Sequence, residues 1–90
     1  MKVTLIGEDN HGQIGVAINY YNAVKWLIDN HWITASDEVF IDNKWKTVVE
    51  AFGNNWSDLM LNEWDINTFN DYWDECFYLD VVTVIGTEED

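Results

Sequence analysis

The chain has 90 residues and a formal net charge of −13, because 17 Asp and Glu residues face only four Lys and no Arg. This length corresponds to one domain with a modest core. The charge argues against direct binding to nucleic acid, which needs Lys and Arg to neutralise phosphates, and against docking on anionic membranes. It favours a basic partner protein, since complementary potentials speed encounter; the alternative is charge that serves solubility alone.

The second half of the chain, residues 47–90, combines acidic charge with aromatic side chains. It contains no Lys, Arg or His. A disordered acidic tail is poor in aromatic residues, so this half indicates a folded surface with negative charge at fixed positions. Six Trp in the whole chain exceed the need of so small a core, and some are therefore expected at the surface, where they mark interfaces. The alternative is that they fill the core.

The first elements form a predicted hairpin and helix. Residues 2–6 are rich in β-branched side chains and predict a strand, which a turn over residues 7–12 follows. Apolar residues alternate over 13–19, which favours the second arm of a hairpin, with a lead-in to the next helix as the alternative. Asn19 is placed to cap an amphipathic helix over residues 20–31.

The middle of the chain predicts a tight hairpin and a second helix. Residues 38–41 and 44–46 are short β-prone pieces around Asp42-Asn43, two residues that tolerate positive φ. Thr47 is expected to cap the second helix, whose apolar face runs to Met60. Gly53 costs this helix about 1 kcal/mol against Ala and is expected to bend or end it.

A third helix is predicted from Ile66 to about Phe77, with Asp65 as its cap. Its polar face carries Asp71, Asp74 and Glu75 in close sequence. Like charges at this spacing oppose a helix by roughly 0.2–0.5 kcal/mol per pair. A sequence that accepts this cost indicates a face selected for charge, although a solvated acidic face is the alternative.

The chain closes with a strand and a short tail. Residues 79–85 are β-branched and long enough to predict a strand at the centre of a small sheet, and residues 86–90 predict a frayed acidic tail. The predicted fold class is α+β: a single domain over residues 1–90, with three amphipathic helices packed on a small, mostly antiparallel sheet. The first and last strands are expected to be neighbours.

Enzymatic chemistry finds little support in the sequence. His11 and His31 are the only histidines, and no serine or cysteine motif accompanies them. Cys76, the single cysteine, falls on the apolar face of the third predicted helix, which favours a buried, inert thiol and rules out an internal disulfide. We therefore predict no enzyme and no catalytic residue.

Metal and cofactor sites are also not predicted. The turn over residues 8–11 offers oxygen and nitrogen ligands, but it lacks the calcium-loop pattern and a His pair at helical spacing. Turn chemistry explains these residues better, and no glycine-rich phosphate loop is present. A small carboxylate hydrolase or a calcium or magnesium binder is a third, less favoured class.

The residues predicted to bind a partner cluster around the two C-terminal helices. Carboxylates fixed on helices can present to a DNA-binding protein a charge array similar to that of DNA, and exposed aromatics add hot-spot contacts to Arg. The predicted carboxylates are Asp58, Glu63, Asp65, Asp71, Asp74 and Glu75. The predicted aromatic contacts are Trp56, Trp64 and Tyr72.

Two short segments resemble a known family. The Ala-Phe-Gly-Asn-Asn-Trp stretch at residues 51–56, followed by Phe-Asn-Asp at 69–71, is similar to the C-terminal half of small acidic anti-CRISPR proteins that act on type II-A Cas9. The resemblance implies an α+β domain of phage or mobile-element origin that occupies the PAM-reading site of a guide-loaded nuclease as a DNA mimic.

The sequence thus predicts a non-enzymatic inhibitor that binds the nucleic-acid-binding cleft of a nuclease, with a Cas9-type effector first and a restriction enzyme second. The alternative is an accessory protein-interaction module that uses aromatic patches, with charge for solubility only. No signal-peptide pattern and no apolar run near the ~20 residues of a membrane span are present. The expected location is the cytoplasm of the host cell.

Overall fold

Five strands and four helices follow one another in residues 1–74 and 76–85, the part of the chain that this computed structural model describes. The fold class is α+β, as predicted. The strands are β1 (Lys2–Glu8), β2 (Gly12–Ala17), β3 (Glu38–Ile41), β4 (Lys44–Thr47) and β5 (Phe77–Thr83). The helices are α1 (Tyr20–Asp29), α2 (Val48–Phe52), α3 (Trp56–Asn62) and α4 (Ile66–Tyr72).

The larger sheet has three antiparallel strands in the order β2-β1-β5. The β1–β2 pairing confirms the first hairpin, and the β1–β5 pairing confirms that the first and last strands are neighbours. The prediction that the last strand is central is wrong. β5 lies at an edge, where the Asn70 side chain of α4 covers part of its free side: Asn70 Nδ2 donates to the Leu79 carbonyl at 2.9 Å, and the Leu79 N–H donates to Asn70 Oδ1 at 2.8 Å.

Three helices begin at the caps that the sequence predicts. Asn19, Thr47 and Asp65 each accept a hydrogen bond from the backbone N–H three residues further on, at 2.9, 3.2 and 2.8 Å. At α2 the Glu50 carboxylate also accepts from the Thr47 N–H at 2.9 Å, which completes a capping box. These bonds satisfy backbone donors that a helix start leaves without partners.

The second hairpin, β3–β4, turns at the predicted Asp42-Asn43 pair. Both residues have positive φ, 54° and 64°, as a two-residue turn between twisted strands requires. The register places Phe40 directly opposite Trp45. Since side chains alternate between the two faces of a strand, the two rings lie on the same face of the hairpin.

The three predicted helices end differently in the structure. The first ends at Asp29 rather than at His31, whose φ is positive at 61°. Gly53 (φ 87°) ends the second one, which continues as a separate helix, α3. The third ends at Tyr72 rather than at Phe77, because Phe77 belongs to the sheet. Phe77 then enters β5 opposite Glu8, so Cys76 does not lie on a helix face. The predicted tail, residues 86–90, lies outside the described residues.

The core lies between the larger sheet and the helices. Ile6 and Leu79 from the sheet pack with Val24, Leu27 and Phe69 from the helices, and all five are almost completely buried. On the opposite face of the sheet Val16 and Tyr78 are exposed. No helix in the described part of the chain is long and apolar enough to cross a membrane.

Candidate protein-interaction groove

One cavity lies between the β3–β4 hairpin and the C-terminal end of α4, and a second cavity adjoins it beside Glu8 and Phe77. Their volumes are about 270 and 280 Å³, and Glu38, Trp73 and Cys76 line both. Because the two cavities share these lining residues, we describe them together as the acidic groove. Among the described residues, its lining contains no lysine, arginine or histidine and five carboxylates: Glu8, Asp37, Glu38, Asp71 and Asp74.

The hairpin side of the acidic groove carries an exposed aromatic pair. The Phe40 and Trp45 rings pack edge to face with centroids 5.3 Å apart, and both line the groove. They are 51% and 57% exposed, which is unusual for large apolar side chains that fold stability alone would bury. An aromatic face beside carboxylates is a surface on which a guanidinium or ammonium group can stack and pair at once.

The five carboxylates differ in how far they are already engaged. Glu8 accepts hydrogen bonds from the Asn10 N–H at 3.0 Å and from His11, and the His11 contact holds the pKa of the Glu8 carboxyl below its usual range. Asp37 accepts from the Thr34 N–H at 2.7 Å. These two groups help to hold their own loops in place.

Glu38, Asp71 and Asp74 have no such engagement. Among the described residues, none of the three forms an ion pair or a side-chain hydrogen bond. All three are exposed. Their negative charge is therefore available to a partner without loss of an internal contact, and a partner that pairs with them gains charge-assisted hydrogen bonds.

Trp73 forms the floor of the acidic groove and lines both cavities. It is 2% exposed, and its buried indole Nε1 has no hydrogen-bond acceptor among the described residues. An unmet buried donor costs roughly 1–3 kcal/mol. A Phe at this position would avoid that cost, so fold stability alone does not account for the indole.

The wall at the end of α4 is supported by an aromatic cluster. Tyr72 stacks on Trp64 with ring centroids 4.8 Å apart and an interplanar angle of 12°. Phe52 packs edge-on against both rings, at 5.1 and 5.3 Å. Tyr72 lines the groove and is exposed, whereas Trp64 is half-buried. The two predicted aromatic contacts therefore belong to one cluster, and Tyr72 is the more exposed of them.

The predicted partner-binding residues are divided between the acidic groove and other surfaces. Asp71, Tyr72 and Asp74 line the groove. The others are placed elsewhere. Asp58 and Glu63 are exposed on and just after α3, Asp65 caps α4, Trp56 is half-buried against the core, and Glu75 lies outside the described residues.

Sequence reasoning missed the hairpin side of the groove: Glu38, Phe40 and Trp45. A signal was present, because the Asp42-Asn43 turn fixes the register and thereby pairs Phe40 with Trp45 on one face. What the local pattern does not contain is the approach of this hairpin to α4, which depends on packing between residues about 30 positions apart.

The turn with possible metal ligands is occupied by an internal contact instead. His11 bonds to Glu8 through Nδ1 and packs edge-on against Trp32, at a centroid distance of 5.7 Å. Within residues 1–74 and 76–85, no group of three or more His, Cys, Asp or Glu side chains is placed to hold a metal ion.

Comparison with known proteins finds no matching family model, no matching curated protein and no matching solved structure. The basis for assigning a function is therefore the chemistry and geometry of the acidic groove.

Proposed function

We propose that this protein is a non-enzymatic inhibitor that occupies the nucleic-acid-binding cleft of a basic nuclease by DNA mimicry. The observation that carries the proposal is the acidic groove, in which unengaged carboxylates stand beside an exposed aromatic pair. A guide-loaded Cas9-type effector is the first candidate target, on the sequence resemblance, and a restriction enzyme is the second. The site of action would be the cytoplasm of the host cell.

The groove offers both kinds of contact that a nucleic-acid-binding cleft is built to receive. Such clefts present Arg and Lys to phosphates, and aromatic or guanidinium faces to bases. Glu38, Asp71 and Asp74 can replace the phosphates as acceptors, because a carboxylate accepts two parallel bonds from one guanidinium. Phe40 and Trp45 can replace the stacked bases.

Long-range attraction favours the same class of partner. The net charge is −13, and no cation lines the groove within residues 1–74 and 76–85. The protein therefore attracts a positive cleft from a distance, which raises the encounter rate. Salt weakens such attraction, because the Debye length falls from about 10 Å at 0.1 M to about 3 Å at 1 M. Binding that weakens steeply with salt is therefore part of the proposal.

The test is competition with DNA for a purified nuclease. A panel of guide-loaded type II-A Cas9 proteins and restriction enzymes is mixed with labelled target duplex, and the concentration of this protein that displaces half of the DNA is measured. We expect displacement from at least one member. In the double variant Asp71→Lys/Asp74→Lys, that concentration should rise at least about tenfold, since each lost charged contact is worth roughly 1.5–3 kcal/mol.

The matched control is Asp58→Lys/Glu63→Lys, which makes the same change in charge on and just after α3, away from the acidic groove. If it displaces DNA as well as the wild type, the effect belongs to the groove and not to net charge. If both double variants stay folded and both inhibit like the wild type, the proposal is wrong. If no nuclease in the panel releases DNA, the inhibitor function is wrong.

A second candidate function is an accessory protein-interaction module. The exposure of Phe40 and Trp45 favours it, because a mostly apolar interface can rest on such a pair alone. Here Trp45→Ala would abolish binding, while Asp71→Lys/Asp74→Lys and added salt would have little effect. Charge reversal and aromatic truncation thus separate the two functions in the same assay.

A further inference from the structure

Among the described residues, nothing pairs with the outer edge of β5 at its C-terminal end. In an antiparallel sheet, the N–H and C=O of alternate residues point to opposite edges of the strand. The N–H and C=O of Leu79 point away from β1, since both bond to Asn70. The same groups of Val81 and Thr83 therefore also face outwards, and among the described residues they have no partner there.

Asn70 thus covers the edge at one position only. Its amide side chain supplies one donor and one acceptor, as an added strand would, and it closes the edge at Leu79. Beyond it, two residues with the same orientation offer two donors and two acceptors in the geometry that an extended backbone satisfies.

An apolar cavity lies beside this open edge. Its volume is about 470 Å³, within the range of small-ligand sites, and Val81 forms part of its wall together with Ile18, Tyr20, Trp64 and Ile66. The Tyr20 hydroxyl donates to the Met60 carbonyl at 2.6 Å. A ligand in the cavity would therefore contact the ring of Tyr20 and not its hydroxyl. Ile18 and Val81 are 67% and 49% exposed.

The cavity lies on the helix side of the sheet, next to the open edge of β5. Val81 pairs with Thr4, a buried residue on the helix side of the sheet, so a residue opposite Val81 on an added strand would also point to the helix side and enter the cavity. The next residue would point to the other face and stand opposite Asp80. Asp80 is exposed, and its neighbours across the sheet are Leu5 and then Val16, neither of which is charged.

We propose that the β5 edge at Val81–Thr83 binds an extended peptide segment of a partner protein as an added antiparallel strand. The segment carries a large apolar residue that fills the cavity, followed directly by Lys or Arg, which pairs with Asp80 across the strands. This site is independent of the acidic groove and does not rest on the inhibitor function.

A second copy of this chain is the less suitable occupant. Two molecules with a net charge of −13 each repel one another. Among the described residues, an apolar residue is followed directly by lysine at Met1-Lys2, Val24-Lys25 and Trp45-Lys46. The first pair bonds to β5 through β1, the second lies on α1 and the third lies in the paired strand β4, so all three are already committed to internal structure.

The test uses the peptide acetyl-Ser-Thr-Val-Phe-Lys-amide as the probe, titrated into the ¹⁵N-labelled protein and followed by NMR. We expect saturable shifts of the Val81 and Thr83 amides and slower hydrogen exchange at both. The amides of Leu5 and Gly7, which face β5 from β1, should change little. Absence of saturable shifts at Val81 and Thr83 would overturn the proposal.

Two changes to the peptide separate backbone pairing from simple apolar contact. Methylation of the Phe nitrogen removes one strand hydrogen bond, and replacement of Phe by Ser removes the group that fills the cavity. Each should weaken binding at least about tenfold, the effect of losing one well-formed contact. If the N-methyl peptide binds as well as the parent peptide, strand addition is wrong.

On the protein, Val81→Pro is the matching variant. The Val81 N–H faces outwards, so proline removes no internal hydrogen bond and suits an edge strand. We expect a folded protein that loses binding at least about tenfold. Thr83→Pro, nearer the strand end, repeats the test if Val81→Pro does not fold; equal binding to a folded proline variant and to the wild type would contradict the proposal.

Discussion

Trp64 and Tyr72 stack with their ring centroids 4.8 Å apart and thereby tie together the two ends of α4. Trp64 stands just before the Asp65 cap, and Tyr72 is the last residue of the helix. One end of α4 borders the acidic groove and the other borders the apolar cavity beside β5. The stacked pair therefore supports the walls of both candidate binding sites.

A double-mutant cycle measures the coupling free energy between Trp64 and Tyr72. Trp64→Ala and Tyr72→Ala should each lower the free energy of unfolding. The double variant should lose about 0.5–1.5 kcal/mol less than the sum of the two single losses, because an aromatic pair contributes that much beyond its buried area. Urea unfolding measures the three variants. Tyr72→Phe is the control, because it keeps the ring, and additive losses would contradict the coupling.

The capping box at α2 makes a separate prediction for stability. Thr47→Ala removes the side-chain acceptor for the Glu50 N–H, which lies 3.2 Å from Thr47 Oγ1. We expect a loss of about 1 kcal/mol in the free energy of unfolding. Thr47→Ser keeps the hydroxyl and should recover most of it. A Thr47→Ala protein as stable as the wild type would show that β4 and α2 hold the junction without the cap.

Local chemistry in the sequence predicts the starts of elements well. Asn19, Thr47 and Asp65 were expected to begin helices and do so, and the Asp42-Asn43 turn forms as predicted. These features depend on residues within three or four positions of one another, so the sequence alone contains the information.

The ends of elements and the candidate site depend on distant contacts instead. Trp73 and Phe77 have the spacing of one helix face, yet the chain leaves the helix at Tyr72 because Phe77 pairs with Glu8 in the sheet. Apolar spacing does not distinguish a continued helix from a buried turn into a strand. For the same reason, the sequence indicated Asp71 and Asp74 but not the hairpin residues that face them.

The Asp65 cap predicts a pH dependence of stability. The hydrogen bond from the Thr68 backbone N–H holds the pKa of the Asp65 carboxyl below its ordinary value of 3.8. The folded protein therefore binds a proton at this site less readily than the unfolded chain, and the carboxylate stabilises the fold fully above pH 3.8. This contribution is lost as the pH falls through the lower pKa of the folded state.

The comparison that isolates this effect is wild type against Asp65→Asn, which keeps an oxygen acceptor without the titrating group. The thermal midpoint of the wild type should be the higher of the two at pH 6, and the difference should shrink as the pH falls below 3.8. Glu8 and Glu50 also have a pKa below the usual range. Both residues are present in the two proteins, so their contributions cancel in the difference between the thermal midpoints. A difference that does not change with pH would contradict the prediction.

The carboxylates of the acidic groove should lower the stability of the fold. Asp71 lies in the last turn of α4, where a negative charge is unfavourable by about 0.3–1 kcal/mol at low ionic strength. Asp71→Lys/Asp74→Lys should therefore raise the thermal midpoint in low salt, and added salt should reduce the gain as it screens the charges. Asp58→Lys/Glu63→Lys is the comparison on and just after α3. A groove variant that melts below the wild type at low salt would mean that these carboxylates support the fold.

Asn70 is predicted to protect the sheet edge. Asn70→Ala leaves the Leu79 N–H and C=O of a buried residue without their partners, and we expect a loss of roughly 1–3 kcal/mol. Asn70→Asp keeps the acceptor for the Leu79 N–H and loses the donor to the Leu79 carbonyl. Its stability should therefore lie between those of the wild type and Asn70→Ala. Hydrogen exchange at Leu79 should accelerate in Asn70→Ala; an unchanged rate would show that the side chain does not cover the edge.

Affinity capture from host lysate tests whether the acidic groove binds a basic nucleic-acid-binding protein. Wild-type and Asp71→Lys/Asp74→Lys proteins serve as paired baits, washed with rising salt and then with duplex DNA, and retained proteins are identified by mass spectrometry. We expect a basic nuclease that is held by the wild type alone and released by salt or by DNA. A neutral partner that resists both washes and binds the two baits equally would contradict this expectation.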